Sequence, residues 1–320
     1  MTDEPRNDSA FAARSPYGTR LESTYGGALS FMRRRYTKDL SGVDVAVCGV
    51  PSDLATSNRP GARFGPRAVR QASAQLVYGP VWPFGFDPFE RLRVVDWGDV
   101  AFDDGYPERM LKAVEDHAGR VLGAGASLLT LGGDHLVSLP LLRAHARQHG
   151  PLCLVHFDAH SDTWREATLN HGSMFFHALG EGLLDPEHSI QIGIRTHNDE
   201  THGFQIVTAT EVARLGPRAV AERAVEVVGG RKAYLTFDID CLDPSVAPGT
   251  GTPVVGGLGT AEAREILWGL SGLDLVGMDV VEVAPVYDVG EITALAAATL
   301  ALDYLCLRAG RRAVGAERRP

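Results

Sequence analysis

The stretch LCLVHFDAHSD (152–162) joins an apolar run to a close series of acidic and histidine residues. A second stretch, KAYLTFDID (232–240), has the same plan and ends in two aspartates. Both runs are nearly continuous in apolar residues instead of alternating with polar ones, as expected of strands buried on both faces. Strands of this kind predict a parallel sheet with helices packed on both of its sides.

Similar apolar runs and helical patterns recur along the chain. Five further runs read as strands: VDVAVCGV (43–50), LRVVDWGDV (92–100), SLLTLGGDH (127–135), SIQIGIR (189–195) and LDLVGMDVVEV (273–283). Five segments have the apolar spacing of helices: 107–125, 136–150, 217–230, 260–272 and 291–312. Alternation of strands and helices predicts an α/β protein with a mostly parallel central sheet.

The chain shows no internal repeat, linker or low-complexity segment, so we expect a single domain over residues 23–310. Residues 1–22 read as a flexible N-terminal arm, and residues 311–320 as a basic C-terminal tail. No apolar run approaches the roughly 20 residues that span a bilayer, and the start lacks the apolar stretch of a secretory signal. A cytoplasmic protein with no membrane partner is therefore expected.

Net charge and cysteine content restrict the expected partners and the expected cellular compartment. The 31 basic and 40 acidic residues give a net charge of −9, which argues against a nucleic-acid partner and mildly favours a cationic one. The four cysteines form no CxxC pair, so neither a disulfide framework nor a zinc knuckle is expected. A reducing cytoplasm fits this pattern.

The acidic and histidine motifs all stand at the ends of apolar runs, as GGDH, DAHSD, DID and VEVAP. In open parallel sheets, ligands bind beyond the carboxyl ends of the strands. Four distant segments would thus bring polar groups to one edge of the sheet.

Asp158, His160 and Asp162 have a spacing of two residues, which puts their side chains on one face of an extended segment, about 6.5–7 Å apart. Two carboxylates and an imidazole in a buried setting are costly without a cation, so metal ligation is favoured over an ordinary polar strand face. Asp238 and Asp240 repeat the pattern, although a lone DxD is a weak signal.

His135 follows two glycines that would let the backbone turn sharply, or it is a first-turn helix residue with Asp134 as N-cap. Together with the four aspartates and His160 it makes a set of nitrogen and oxygen ligands without thiolate. Such a set suits Mn²⁺ better than a structural zinc. Two such ions roughly 3.5–4 Å apart would make hydroxide available near neutral pH.

Three further residues are candidates near this edge. His156 points to the same face of the strand as Asp158, but it lies two residues earlier and further from the strand end. We therefore interpret it as a supporting or core histidine and not as a ligand. His171 is a candidate proton shuttle, with an ordinary loop histidine as the alternative. Glu282 ends an apolar strand, where it would pair with a planar guanidinium or form a structural ion pair.

The motifs resemble those of the ureohydrolase (arginase–agmatinase) family, most closely its bacterial agmatinase members, from about residue 45 to 307. Eight segments carry the resemblance: SNRPGARFGPRAVRQAS (57–73), GGDHLVSLPLLRAHA (132–146), LVHFDAHSDT (154–163), HGSMFFHA (171–178), SIQIGIRT (189–196), YLTFDIDCLDPSVAPGTGTPVVGGL (234–258), VGMDVVEVAPVYD (276–288) and EITALAAATLAL (291–302). The resemblance implies a three-layer α/β/α sandwich, two Mn²⁺ ions per subunit and a homo-oligomer, commonly a trimer or hexamer.

It also implies a role for each site residue. One ion would be held by His135, Asp158, Asp162 and Asp238. The other would be held by Asp158, His160, Asp238 and Asp240. A hydroxide that bridges the ions would attack the guanidinium carbon of a small cationic substrate and release urea. Asp162 would orient the hydroxide and take its proton, His171 would relay protons, and Glu282 would hold the guanidinium.

The resemblance implies the identity of the guanidinium substrate less clearly than it implies the reaction. Arginases carry an SGNLHG-like stretch where this chain has TLNHG (168–172), which disfavours arginine. The loop TWREATLN (163–170) contains Arg165, which suits an acidic tail, and Glu166, which suits the ammonium of agmatine. Agmatine is favoured, with 4-guanidinobutyrate or 3-guanidinopropionate as alternatives. A pseudoenzyme that regulates a partner, or a hydrolase of formimino or acyl-lysine groups, stays open.

Overall fold

The computed structural model describes residues 22–103 and 105–317, with side chains described as far as residue 311. Eight strands form one sheet: β1 Val45–Gly49, β2 Val94–Asp99, β3 Ser127–Leu131, β4 Cys153–Phe157, β5 Ile190–Ile194, β6 Gln205–Thr208, β7 Lys232–Asp238 and β8 Asp274–Val281. Their order across the sheet is β2-β1-β3-β8-β7-β4-β5-β6, and every neighbouring pair is parallel.

Helices cover the sheet on both sides. Their bounds are α1 Gly65–Ser73, α2 Pro107–Gly123, α3 Ser138–His149, α4 Met174–Gly180, α5 Ala209–Leu215, α6 Pro217–Val228, α7 Thr260–Gly269 and α8 Ile292–Glu317. Helices α2, α3 and α4 share one apolar cluster, and α1, α5, α6, α7 and α8 share another. The predicted three-layer α/β/α sandwich with a parallel central sheet is confirmed.

The two clusters meet the sheet through alternate residues of each strand. In β1, Val45 and Val47 belong to the cluster of α8, whereas Ala46 and Cys48 belong to that of α2 and α3. Because successive side chains of a strand point to opposite faces, a strand covered on both sides must be apolar at every position. This explains the continuous apolar runs of the sequence.

Seven of the eight strands lie within the predicted runs, and β6 was missed. This edge strand has four residues, of which Gln205 is exposed and Val207 alone is buried. One buried side chain gives no apolar run, and pairing with β5 alone determines that the segment is extended.

Helix α8 differs from expectation in two ways. Residues 292–311 are long and apolar enough to cross a membrane, contrary to the expectation that no such run exists. Most of this segment is buried against α1, α7 and the sheet, as in a core helix of an α/β protein. The helix also continues to Glu317, past residue 310 at which we expected the domain to end.

The N-terminal arm lies outside the described residues, except for Glu22 at its end. The buried Arg33 donates hydrogen bonds to the carbonyl oxygens of Glu22, Ser23 and Gly26, and thereby holds this segment against the domain. All four cysteines are free and buried, which agrees with the expected absence of disulfides.

Candidate metal centre and substrate cavity

The predicted ligands converge at the carboxyl ends of three strands. Asp158 directly follows β4, and Asp238 is the last residue of β7, its neighbour in the sheet. His135 begins a short 3-10 turn after β3, and the Asp134 side chain caps that turn by accepting from Leu136 N. His135 is therefore both a first-turn helix residue and a member of the cluster.

The two glycines before Asp134 serve close packing and not a sharp turn. Neither has a positive φ angle. A Cβ atom on Gly133 would lie 1.7 Å from the carbonyl oxygen of Ser52, and one on Gly132 would lie 2.5 Å from Val281 Cγ1. Only glycine lets the chain pass this close to the neighbouring segments.

His135 faces three carboxylates through one ring nitrogen. Its Nδ1 atom lies 2.9 Å from Asp162 Oδ2, 3.2 Å from Asp158 Oδ2 and 3.3 Å from Asp238 Oδ2. The ring is fully buried. This nitrogen and these oxygens surround a common point, which is the arrangement expected of a cation site.

His160 forms a second group that shares Asp158. Its Nδ1 atom lies 3.3 Å from Asp158 Oδ1 and 3.2 Å from Asp240 Oδ2. The hydroxyl of Thr252 donates to the same Asp240 oxygen. Side-chain atoms close enough to share a cation form two groups with Asp158 in common, as two neighbouring cations would require. The groups are His135, His156, Asp158 and Asp162, and Asp158, His160 and Asp240.

The cluster carries more negative charge than the protein around it balances. Asp158, Asp162, Asp238 and Asp240 are all buried, and their described ion-pair partners are histidines. Burial raises the pKa of Asp238 well above its usual range, and the neighbouring Asp240 and Asp158 raise it further. Buried carboxylates in this number are stable only with cations among them.

The hydrogen bonds behind His135 decide which of its nitrogens can bind a metal. Its Nε2 atom lies 2.8 Å from Thr236 Oγ1, whose proton is donated to Asp279 Oδ1 at 2.5 Å. Thr236 must therefore accept from His135, so Nε2 carries the hydrogen and Nδ1 presents its lone pair to the carboxylates. That Nδ1 atom is buried and has no hydrogen-bond partner among the described residues. The donor set fits a metal ion.

Protons and cations compete for His135. Burial lowers its pKa, but the carboxylates of Asp158, Asp162 and Asp238, which would accept from a protonated Nδ1, more than offset this and raise the pKa well above the usual range. Metal binding at this nitrogen would therefore release a proton.

Glu282 and His171 form a buried pair beside the cluster. Glu282 Oε1 accepts from His171 Nδ1 at 2.8 Å and from the backbone N–H of His135 at 2.9 Å. Glu282 Oε2 is buried without a hydrogen-bond partner among the described residues. Burial lowers the pKa of His171, but the bond to Glu282 outweighs it and the pKa rises to about 9. Glu282 also adopts a left-handed backbone with φ of 64°, which is uncommon for a non-glycine residue and typical of functional sites.

A cavity of about 560 Å³ opens over the cluster. His160, Asp162 and Asp238 reach its floor, and His171 lies at its side. The loop after Asp162 supplies much of the remaining wall, through Trp164, Glu166, Thr168, Leu169 and Asn170. The volume suits a small molecule of the size of the proposed guanidinium substrates.

The loop places Arg165 and Glu166, the two candidates for substrate recognition, in different surroundings. Glu166 lines the cavity, and its carboxylate accepts from Asn170 Nδ2 at 2.6 Å. Arg165 does not line it: its exposed guanidinium pairs with Glu200 at 2.9 Å and lies over the ring of Phe176. The Glu166 N–H donates to the carbonyl oxygen of Trp164 in a tight turn around Arg165, and of the two residues only Glu166 faces the cavity.

Several residues of the site were missed at the level of sequence. They are Ser57, which bonds His171 Nε2, Thr236 and Asp279 behind His135, Gln191 beside His156, and Thr252 on Asp240. Gln191 and Asp279 could have been identified from the sequence, because each is a polar residue inside an otherwise apolar strand and needs a buried partner.

Comparisons with known proteins agree with this geometry. The sequence model of the arginase family matches residues 43–306. Curated agmatinases from Chromobacterium violaceum and Proteus mirabilis are each 52% identical, over 98% and 91% of this chain and 99% and 96% of their own lengths.

Solved structures give the same result. A hypothetical agmatinase from Burkholderia thailandensis is 55% identical, with a TM-score of 0.94, over 98% of this chain and all of the other. Proclavaminate amidino hydrolase from Streptomyces clavuligerus is 40% identical, with a TM-score of 0.86, over 90% of this chain and 99% of its own.

The chain therefore belongs to the arginase family, whose fold it has and whose model matches most of its length. Within that family it is an agmatinase-like ureohydrolase, a hydrolase of the carbon–nitrogen bonds of linear amidines.

Proposed function

We propose that this protein hydrolyses agmatine to putrescine and urea with two Mn²⁺ ions per subunit. The observation that carries the proposal is the buried Glu282, whose Oε2 atom has no described partner and lies beside the carboxylate and imidazole cluster. A buried carboxylate with a free oxygen requires a cationic donor. A planar guanidinium supplies one, and the relatives named agmatinase share about half of the sequence.

The metal ligands in this proposal are the six residues His135, Asp158, His160, Asp162, Asp238 and Asp240. Their oxygens and imidazole nitrogens suit Mn²⁺, and the buried Asp158 lies between the two groups. Two divalent cations bound here would lower the pKa of a water molecule and provide a nucleophile near neutral pH.

The protein's own residues orient the substrate and move the proton. Glu282 Oε2 accepts a hydrogen bond from the guanidinium and holds it beside the cluster. Asp162 opens onto the cavity floor and takes the proton of the attacking water. His171 donates Nδ1–H to Glu282. Its Nε2 atom accepts from the backbone N–H of Ser57 at 3.1 Å and lies 2.7 Å from Ser57 Oγ, and it is the position at which the ring takes up and releases protons.

The cavity wall favours a cationic tail. Among the described residues that line it, none is lysine or arginine, and Glu166 contributes a carboxylate. The ammonium of agmatine gains from the Glu166 carboxylate, whereas the carboxylate of 4-guanidinobutyrate finds no lysine or arginine among the described lining residues. Arg165 is turned towards Glu200 and is not available to an acidic tail in this conformation.

The test is urea release by the Mn²⁺-loaded protein, with agmatine, 4-guanidinobutyrate, 3-guanidinopropionate and arginine at equal concentrations. We expect agmatine to dominate kcat/KM. Dominant turnover of an acid-tailed compound would overturn the substrate while leaving the metal centre in place. Metal analysis of the same preparation should give two Mn²⁺ per subunit.

We also propose a cytoplasmic homo-oligomer, a trimer or hexamer, that acts in putrescine formation. The α/β fold and its four free, buried cysteines support a reducing compartment. Light scattering during gel filtration would measure the mass, and a monomer at working concentration would overturn the oligomer.

A further inference from the structure

A row of buried polar residues crosses the sheet one pleat below the predicted metal ligands. Asp279 on β8 pairs in register with Thr236 on β7, which pairs with His156 on β4, which pairs with Gln191 on β5. All four are at most 1% exposed. Residues two positions further along a strand share its face, so Asp238 and Asp158 stand directly above Thr236 and His156.

Gln191 determines the hydrogen on His156. Its amide nitrogen donates to the carbonyl oxygen of Ser161 at 2.7 Å and lies 3.0 Å from His156 Nδ1. An amide nitrogen donates and does not accept, so His156 Nδ1 is an acceptor and carries no hydrogen. The ring must then carry its hydrogen on Nε2, which lies 2.7 Å from Asp158 Oδ2.

His135 lies against His156 with the opposite arrangement. The two ring centroids are 5.2 Å apart, and Phe175 packs on both rings. His135 donates at Nε2 to Thr236 and turns its bare Nδ1 to the carboxylates. His156 turns an N–H to the same cluster. Two neighbouring histidines thus offer the cluster a lone pair and a hydrogen-bond donor respectively.

We propose that the row fixes both histidines as Nε2–H tautomers with their rings turned in opposite directions, so that His156 is a hydrogen-bond donor that positions Asp158 and is not a metal ligand. Gln191 and Thr236 are the positioning residues that set the tautomer of each ring. The proposal rests on the metal ligands proposed above but not on the identity of the substrate.

The positioning matters because Asp158 belongs to both ligand groups. Its Oδ1 atom accepts from the backbone N–H of His160 at 2.6 Å, and its Oδ2 atom accepts from His156. With one donor on each oxygen, the carboxylate plane is held in a single orientation. Hydrogen bonds of this kind commonly contribute 10–100-fold to metal affinity.

The test compares His156→Phe, which keeps a ring and loses the donor, with His156→Gln, which keeps an N–H of similar reach. Mn²⁺ binding is measured by equilibrium dialysis, and thermal unfolding in a chelator verifies that each variant folds. We expect His156→Phe to bind two ions with affinity lowered about 10–100-fold, and His156→Gln to stay within about threefold of the wild type. Loss of one ion in both variants would make His156 a ligand, and unchanged affinity in His156→Phe would remove its positioning role.

A second measurement does not depend on metal or activity. In the full-length, metal-free chain labelled with ¹⁵N-histidine, we expect a pyrrole-type shift at His156 Nε2 and a pyridine-type shift at Nδ1. Gln191→Glu places an acceptor at nearly the same position, so it should move the hydrogen to Nδ1. A pyrrole-type Nδ1 in the wild type would overturn the proposal even if the protein binds metal and releases urea as proposed.

Discussion

The carboxyl ends of β4 and β7 and the loop 163–170 face the same cavity, yet they are built differently. Asp158 and Asp238 extend from central strands, are buried, and are bonded to other residues of the cluster. The loop is exposed from Trp164 to Thr168. It is held by hydrogen bonds to nearby segments, among them those of Trp164 N to Gly172 O, of Ser173 Oγ to Thr168 O and of Asn198 Nδ2 to Thr163 Oγ1.

This difference separates the chemistry from the choice of substrate. Groups on packed strands have one allowed position, which suits a metal centre that tolerates little displacement. A loop held by a few bonds can change in sequence and length without disturbing the strands. Changes at the strand ends should therefore abolish every reaction, while changes in the loop should alter the preference among substrates.

The largest effect is expected at the strand ends. Asp238→Asn removes one charge from the cluster, so metal binding weakens and urea release falls on the order of 10³-fold or more with every guanidino substrate. Metal analysis and urea release measure this. Asp185→Asn, near the amino ends of β4 and β5, is the control and should match the wild type. A fully metallated, fully active Asp238→Asn protein would contradict a shared metal centre.

Glu282→Gln should come next. Gln keeps the shape but loses the charge that pairs with a guanidinium, and a hydrogen bond to a charged group contributes about 1.5–3 kcal/mol. We expect kcat/KM to fall roughly 10–100-fold for all guanidino substrates while two metal ions stay bound. Loss of metal in this variant would instead place Glu282 among the ligands.

A smaller effect is expected in the loop. Glu166→Gln removes the carboxylate from the cavity wall, and an exposed charge pair contributes at most about 1 kcal/mol. The KM for agmatine should rise about fivefold with little change in kcat, and the KM for 4-guanidinobutyrate should fall. Equal changes for both substrates would show that Glu166 does not sense the charge of the tail.

The smallest effect is expected one residue earlier. Arg165→Gln breaks the exposed ion pair with Glu200, which contributes little, and leaves the described cavity wall unchanged. Activity with agmatine should change less than about twofold. A large loss of activity with acid-tailed substrates would mean that the loop turns Arg165 inward when they bind.

Much of the fold was readable in the sequence because central parallel strands must be apolar throughout. Seven strands and four helices lie within the predicted segments, and α8 overlaps its segment but runs past it, whereas the short, half-exposed β6 left no such trace. The apolar segment in α8 was underestimated because it contains scattered polar residues such as Thr299 and Asp303, although most of the segment is buried.

The sequence by itself determined the family, the parallel sheet and the residue types of the candidate centre, because carboxylates and histidines at the ends of buried strands have few other uses. The tertiary structure was needed to find the row Asp279, Thr236, His156 and Gln191, the opposite orientations of the His135 and His156 rings, and the choice of Glu166 over Arg165 as the residue that faces the cavity. Each of these depends on which strands are neighbours, in what register, and to which side a loop residue points. Such properties arise from contacts between segments far apart in the chain, so no local pattern encodes them.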